Sequence, residues 1–230
     1  MKTFLFSCCT KNKRSEFNNP CSEIEDTDNI YRNYYENNTA ISVLYNESIN
    51  RASLYGSEWL VLHHDDIRFD TTEVTTKIEE IHTNHGFQVI GVAGASRIKI
   101  EEPALWHIMG QKAGQSNLHG AVAHGDNIQK HMTSFGVYPN KAVLIDGVFM
   151  AIHRDCFTKV QFDENNPAKF HFYDLNLSLD AALAGFKVGV GDIMITHKSP
   201  GLRDFTPEFL AGQEYFFNKY SKYKGKIIEA

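Results

Sequence analysis

No stretch of this 230-residue chain approaches the roughly twenty consecutive apolar residues that a membrane-spanning helix needs. An integral membrane segment is therefore not expected, although peripheral association with a membrane-bound substrate would leave no mark in the sequence. Met1 to Cys9 has one early lysine and a short apolar stretch, but it is too short for a signal peptide, lacks a small-residue cleavage site and runs into KNKR. A cytoplasmic protein is the expectation. Basic excess is also missing: the net charge is −5, and the one lysine cluster, Lys219, Lys222, Lys224 and Lys226, reads as a solvated helix end. Nucleic acid is thus not an expected partner. The four cysteines, Cys8, Cys9, Cys21 and Cys156, have no paired zinc spacing and read as reduced thiols. Repeats and low-complexity linkers are absent too. With 42% apolar and 22% charged residues, the chain can bury a core of its own without a metal or disulfide to hold it.

The order of elements comes from periodicity. Thr3 to Cys9 reads as a buried strand, Thr10 to Asn29 as a loop containing Pro20, and Ile30 to Glu36 as a second strand. Ile41, Leu44, Tyr45, Ser48, Ala52 and Tyr55 then share one helical face until Gly56 ends it, and a third strand, Glu58 to His63, follows at once. Strand, helix and strand with short joints make a βαβ unit. Thr72 to Asn84 reads as a helix stopped by Gly86, and Phe87 to Ala93 as a strand. Ser96 to Tyr138, rich in Gly, His and polar residues, reads as a substrate-facing region of short strands and loops. Ala142 to Ile152 is apolar but interrupted by Asp146 and Gly147. A helix is expected from Phe172 to Ala184, stopped by Gly185, and a final strand from Lys187 that ends at His197 before a Ser199-Pro200 turn.

The run EWLVLHHDDIRF, Glu58 to Phe69, is the most informative stretch, because a strand-like apolar run stops abruptly at His64, Asp65 and Asp66. Ligands bind outside the carboxyl ends of strands in open α/β sheets, so an imidazole and two carboxylates there suit a divalent cation and the phosphates it neutralises. Asp65 and Asp66 equally suit a turn or a helix cap. His63, on the opposite side of the strand, reads as a packed core histidine.

Four segments in order resemble the GT-A nucleotide-sugar glycosyltransferases, and the resemblance covers most of the chain. LVLHHDDI is similar to the family's DxD motif, with His64 in the outer position, a variant found in a family 2-like bacterial and phage subgroup. VIGVAGASRI, Val89 to Ile98, resembles that subgroup's strand and small-residue turn. VLIDGVFMAIHRDCF, Val143 to Phe157, resembles the family's Asp-Gly-hydrophobic segment. FHFYDLNLSLDAALAGFKVGVGDIMITH, Phe170 to His197, resembles the acceptor-side acidic helix, the following turn and the terminal strand with its histidine.

What the resemblance implies is an α/β fold of GT-A (Rossmann-like) architecture, a mixed, mostly parallel central sheet flanked by helices. One domain would span residues 1–230, with 1–95 the nucleotide-binding half and 96–230 the acceptor-binding half. The implied reaction moves a sugar from a nucleoside diphosphate sugar, with Mn²⁺ or Mg²⁺, to a hydroxyl on a glycan, a lipid-linked saccharide or a related molecule, as in polysaccharide assembly. Asp66 and His197 would hold the metal, with His64 and Asp65 ligating directly, through water, or contacting ribose and sugar hydroxyls. Asp174 would be the general base of an inverting displacement, since an acceptor hydroxyl needs one close by. Family members usually carry an acidic pair there, whereas this chain has Tyr173 before Asp174 and Asn176 after it. Asp180 lies nearly two turns further on and is a poorer candidate. Asp146 falls where the family contacts donor sugar or acceptor, and Trp106, beside His107, offers an apolar platform for a pyranose. Thr10, Glu36, Asn37, Asn38 and Asn46 would surround the donor base and ribose, although asparagines at a helix start are also ordinary caps.

Three other functions remain open to the sequence. A non-catalytic carbohydrate- or nucleotide-sugar-binding protein would keep the fold without turnover. A sugar nucleotidyltransferase usually has a glycine-rich basic loop after the first strand, and TKNKRSEF has the lysines without a glycine. A metal-dependent hydrolase would need several ligand clusters, and one is visible.

Overall fold

A computed structural model describes residues 3–25, 29–114, 116–125, 130–198 and 204–230. The expected Ser199-Pro200 turn lies outside the described residues. The chain runs β1 (Phe4–Cys9), β2 (Ile30–Tyr34), α1 (Ile41–Tyr55), β3 (Trp59–His63), β4 (Ile67–Phe69), α2 (Val74–His85), β5 (Val89–Gly91), β6 (Ala93–Ala95), β7 (Arg97–Lys99) and α3 (Trp106–Lys112). It continues with β8 (Leu118–Gly125), β9 (Lys130–Gly136), β10 (Asn140–Ala142), β11 (Leu144–Ile145), β12 (Phe149–His153), α4 (Arg154–Phe157), α5 (Tyr173–Leu183), β13 (Val188–Val190), β14 (Ile195–His197), α6 (Pro207–Lys219) and β15 (Ile227–Glu229).

The central sheet has the order β10-β13-β5-β12-β3-β1-β2. Strands β2, β1, β3, β5 and β13 run one way, and β12 and β10 run against them. Such a sheet is covered on both faces, which explains why β1 and β3 read as continuous apolar runs rather than alternating ones. Leu5, Leu60 and Leu62 point to one side, where they pack with Ile41, Tyr45, Ile49 and Ala52 of α1 and with Leu177 and Ala181 of α5. Phe4, Phe6, Trp59 and Val61 point to the other, against Val74, Ile78 and Ile81 of α2. Trp59, Leu60, Val61 and Leu62 are fully buried, and each such side chain contributes on the order of 1.5–3 kcal/mol. Helix α1 ends at Gly56, whose φ of 69° is the left-handed cap that glycine adopts without penalty.

A second sheet, β11-β6-β8-β14-β4 with β9 on β8, sits beside the carboxyl end of β3. Two expectations change here. The region read as short strands and loops is α3 followed by the long antiparallel pair β8 and β9. In HGAVAHG only Ala121, Val122 and Ala123 stand between two His-Gly pairs, so the run carries too few large side chains to announce a strand. The segment expected as one strand from Lys187 to His197 is two strands in different sheets, because the backbone leaves the central sheet at Gly191 and Asp192 and re-enters as β14. An added Cβ at Gly191 would run into the Cδ1 end of Ile81, which would have to shift.

The lysine cluster also differs from expectation at one position. Lys219 is not solvated but bridges Asp163 and Asp180, each at 2.7 Å, with Tyr220 donating to Asp180 at 2.9 Å. Asp180 is thereby tied into the packing of α6 on α5. No helix of the described residues is long and apolar enough to cross a membrane.

Candidate active site

The site forms where β3 stops. Beyond His63 the chain turns through His64, Asp65 and Asp66 and re-enters as β4, which pairs antiparallel with β14 in a register that sets His197 opposite Ile67. Lys198 donates its backbone N–H to the Asp66 carbonyl at 2.9 Å and closes that corner. Two residues 131 positions apart are brought side by side in this way: the Asp66 Oδ1 and His197 Nε2 atoms are 3.1 Å apart. His64 Nδ1 lies 3.8 Å from the same oxygen, and ligand atoms of all three residues fall within 4.8 Å of one another.

Burial decides what this trio can do. Asp66 Oδ1 and His197 Nε2 are both inaccessible to solvent and face each other at 3.1 Å, yet neither has a well-aligned hydrogen bond. Buried polar atoms without partners are costly and uncommon unless something absent completes them. Burial holds His64 below the usual histidine range, with the nearby His197 adding to it, so its imidazole is neutral and keeps a lone pair free. Burial pushes the Asp66 carboxyl up, but His197 and His64 outweigh it and keep the group below its usual range, ionised. Two imidazoles and one carboxylate suit a divalent first-row transition metal. His63, by contrast, is buried, contacts the Cys21 thiol at 3.3 Å and is pushed down to about 4 by burial.

The trio lies in a cavity of about 780 Å³, a size typical of small-molecule sites. Thr10, Lys11 and Asn37, from the ends of β1 and β2, line one part. Thr10 donates to Asp65 Oδ2 at 2.6 Å, and Asn37 holds the turn into α1 by accepting from the Thr39 N–H at 2.7 Å. Leu105, Trp106, His107, Phe135 and Phe209 line another part as an aromatic wall. Trp106 donates its indole N–H to Asp146 Oδ2 at 2.8 Å, while Asp146 Oδ1 accepts from the Val148 N–H at 2.9 Å. Asp146 is therefore both the turn residue and the anchor of the wall.

Asp174 lies between these parts, on the first turn of α5. It does not cap the helix: Phe172 stands at the cap position with a φ of 65°, buried against Phe209 and Phe216. The carboxylate instead accepts from the Gly147 N–H at 2.9 Å. Burial first, and Asp146 second, push its pKa up to about 7.

Of the residues singled out from sequence, His64, Asp65, Asp66, His197, Asp174, Asp146, Trp106, Thr10 and Asn37 share this cavity. Glu36 and Asn38 are exposed and do not line it. Asn46 is turned away: its amide donates to the Phe162 carbonyl and Glu164 and accepts from the Phe162 N–H, which fastens the loop before α5. Phe135 and Phe209 were not anticipated, since nothing local distinguishes them from core aromatics. Tyr173 stood out in the sequence only as a departure from an acidic pair.

The sequence model of the "Glycosyltransferase like family" matches residues 32–223. The chain belongs to that family. Curated protein sequences give no match. Among solved structures the glycosyltransferase is similar to GalNAc-T7 with UDP, GalNAc and Mn²⁺, at 10% identity and a TM-score of 0.54 over 96% of this chain and 49% of that one. It is also similar to S. aureus TarS 1-349, at 11% identity and a TM-score of 0.50 over 97% of this chain and 74% of that one. At these identities the likeness is one of fold, and this chain spans about half the length of the GalNAc-T7 chain. The mixed central sheet flanked by helices is accordingly the GT-A arrangement.

Proposed function

We propose that this glycosyltransferase moves a sugar from a nucleoside diphosphate sugar to a saccharide hydroxyl, with a divalent metal and with inversion at the anomeric carbon. The observation that carries the reading is the convergence in one cavity of three metal-competent side chains, two of them with buried unpartnered atoms, and a carboxylate poised near neutrality.

His64, Asp66 and His197 would hold the metal, and two imidazoles among three donors favour Mn²⁺ over Mg²⁺. When bound, the cation supplies electrostatic stabilisation of the diphosphate leaving group. The residues at the ends of β1 and β2, with Lys11, would receive the nucleoside and diphosphate, in the half formed by residues 1–95. The aromatic wall of Trp106, Phe135 and Phe209, in the half formed by residues 96–230, suits the apolar face of an acceptor pyranose.

Asp174 takes the acceptor proton. As the hydroxyl oxygen bonds to the anomeric carbon, the bond from that carbon to the diphosphate oxygen breaks, and the proton passes to the Asp174 carboxylate oxygen that does not hold the Gly147 N–H. A base with a pKa near 7 both exists ionised at neutral pH and accepts a proton well. The Gly147 N–H holds the other oxygen, which fixes the carboxylate plane without neutralising it.

The test is turnover of a panel of nucleoside diphosphate sugars with saccharide acceptors and Mn²⁺, with the product anomer read by NMR. An inverted product, lost with chelator and reduced by about 10² or more in Asp174→Asn, supports the reading. A retained product, or full activity in Asp174→Asn, removes Asp174 from the role of base.

A further inference from the structure

We infer that Tyr173 is a positioning residue that selects the tautomer of His64 and thereby aims the Nδ1 lone pair of that histidine at the metal site. The inference rests on the reading that His64, Asp66 and His197 hold a divalent metal.

It follows from counting hydrogens. The buried Tyr173 hydroxyl lies 3.0 Å from the Gly147 carbonyl oxygen and 2.8 Å from His64 Nε2. A carbonyl oxygen can only accept, and a phenol has one proton to give. That proton goes to Gly147, because sending it to His64 would leave two oxygen lone pairs facing each other at 3.0 Å. The contact at 2.8 Å is then a hydrogen bond donated by His64 Nε2–H. A neutral imidazole protonated on Nε2 is unprotonated on Nδ1, the nitrogen 3.8 Å from Asp66 Oδ1. The opposite tautomer would point a proton at the metal position. Metal-binding histidines are commonly held by a partner on their far nitrogen in this way, and losing that partner typically weakens affinity by about 10–100-fold.

The same residue steers the base. Gly147 donates its N–H to Asp174 and accepts from Tyr173, so one residue sets both neighbours on α5. The site has no space for a side chain at 147: an added Cβ would lie 2.6 Å from Tyr173 Cζ and 2.9 Å from Asp174 Cβ. His64 is held from its own backbone as well, its N–H donating to the Val148 carbonyl at 3.1 Å. The tyrosine that stands where an acidic residue was expected thus links the metal end of the cavity to the base.

The experiment records long-range ¹⁵N–¹H correlations of the His64 ring in metal-free protein with chelator present, for wild type and Tyr173→Phe. Mn²⁺ binding is measured on the same two proteins by calorimetry. The expected result is an Nε2–H tautomer in wild type, loss of that preference in Tyr173→Phe, and Mn²⁺ affinity weaker by about tenfold or more in the variant. An Nδ1–H tautomer in wild type overturns the inference and needs no variant to fold. So does a Tyr173→Phe protein that keeps both the Nε2–H tautomer and the wild-type affinity. The tautomer is read without metal, so failure of wild type to bind Mn²⁺ would instead sink the underlying metal reading.

Discussion

Replacing Asp174 by Asn should stabilise the metal-free protein while removing the proposed base, and the gain should depend on pH in a defined direction. The carboxyl titrates at about 7 in the folded protein against 3.8 as its ordinary value, and burial is the main cause. A carboxyl whose folded pKa is raised keeps its proton after the unfolded chain has released it. Stability therefore falls as pH rises from about 4 to about 7 and stays low above that window. At roughly 1.4 kcal/mol per unit, a three-unit shift costs about 4 kcal/mol at pH 8 but under about 2 kcal/mol at pH 5. Asparagine has nearly the same shape, its amide oxygen still accepts the Gly147 N–H, and it carries no charge to desolvate. Thermal unfolding of both proteins in chelator at pH 5 and pH 8 measures the difference. At about 2–4 °C per kcal/mol for a domain of this size, the advantage of Asp174→Asn should grow by roughly 5–10 °C between the two pH values. Histidine titrations are common to both proteins and cancel. An advantage equal at both pH values, or a variant less stable than wild type at pH 8, would refute the claim that Asp174 is a part-buried carboxyl held near neutrality.

Two further outcomes follow from the geometry. Trp106→Phe keeps an aromatic face but loses the indole donor to Asp146; acceptor KM should rise several-fold with donor KM unchanged, and a donor-only effect in steady-state kinetics would move the acceptor away from this wall. Lys219→Met leaves Asp163 and Asp180 without their shared cation, and because the lysine side chain is 24% exposed the cost should be about 2 kcal/mol, below the 3–5 kcal/mol of a fully buried pair. Urea unfolding measures that loss, and a midpoint equal to wild type would show that the bridge is only a surface contact.

How much of this was legible in the sequence depends on whether the signal was local. Strand β3 and helix α1 could be read because their burial pattern and their stop signals, His64 and Gly56, sit within the segments themselves. The β8 and β9 pair could not, since small residues and histidines on its faces dilute the alternation that marks a strand. The pairing of β4 with β14 is likewise absent from any local pattern, yet it is what sets His197 beside Asp66; the family resemblance suggests the two residues, and tertiary register joins them. Asparagine near α1 carries a mixed signal: Asn37, before the helix, sits in the cavity while holding a turn, whereas Asn46, within it, fastens a distant loop. Phe135 and Phe209 reach the aromatic wall only through packing across long separations. Tyr173 illustrates the opposite case, because the departure from an expected acidic pair was visible and its meaning came only with the contacts to His64 and Gly147.

If His64, Asp66 and His197 hold a metal that recruits a nucleoside diphosphate, nucleotide should stabilise the folded protein only when that metal is present. Thermal unfolding of wild type and Asp66→Ala against nucleoside diphosphates and their sugars, with Mn²⁺, with Mg²⁺ and with chelator, tests it most directly. A ligand at 100 times its dissociation constant adds about 2.7 kcal/mol of stability. The expected result is a shift of that order with Mn²⁺ and one class of nucleotide, absent with chelator and absent in Asp66→Ala. A shift that survives chelator or Asp66→Ala, or no shift with any nucleotide, would contradict it.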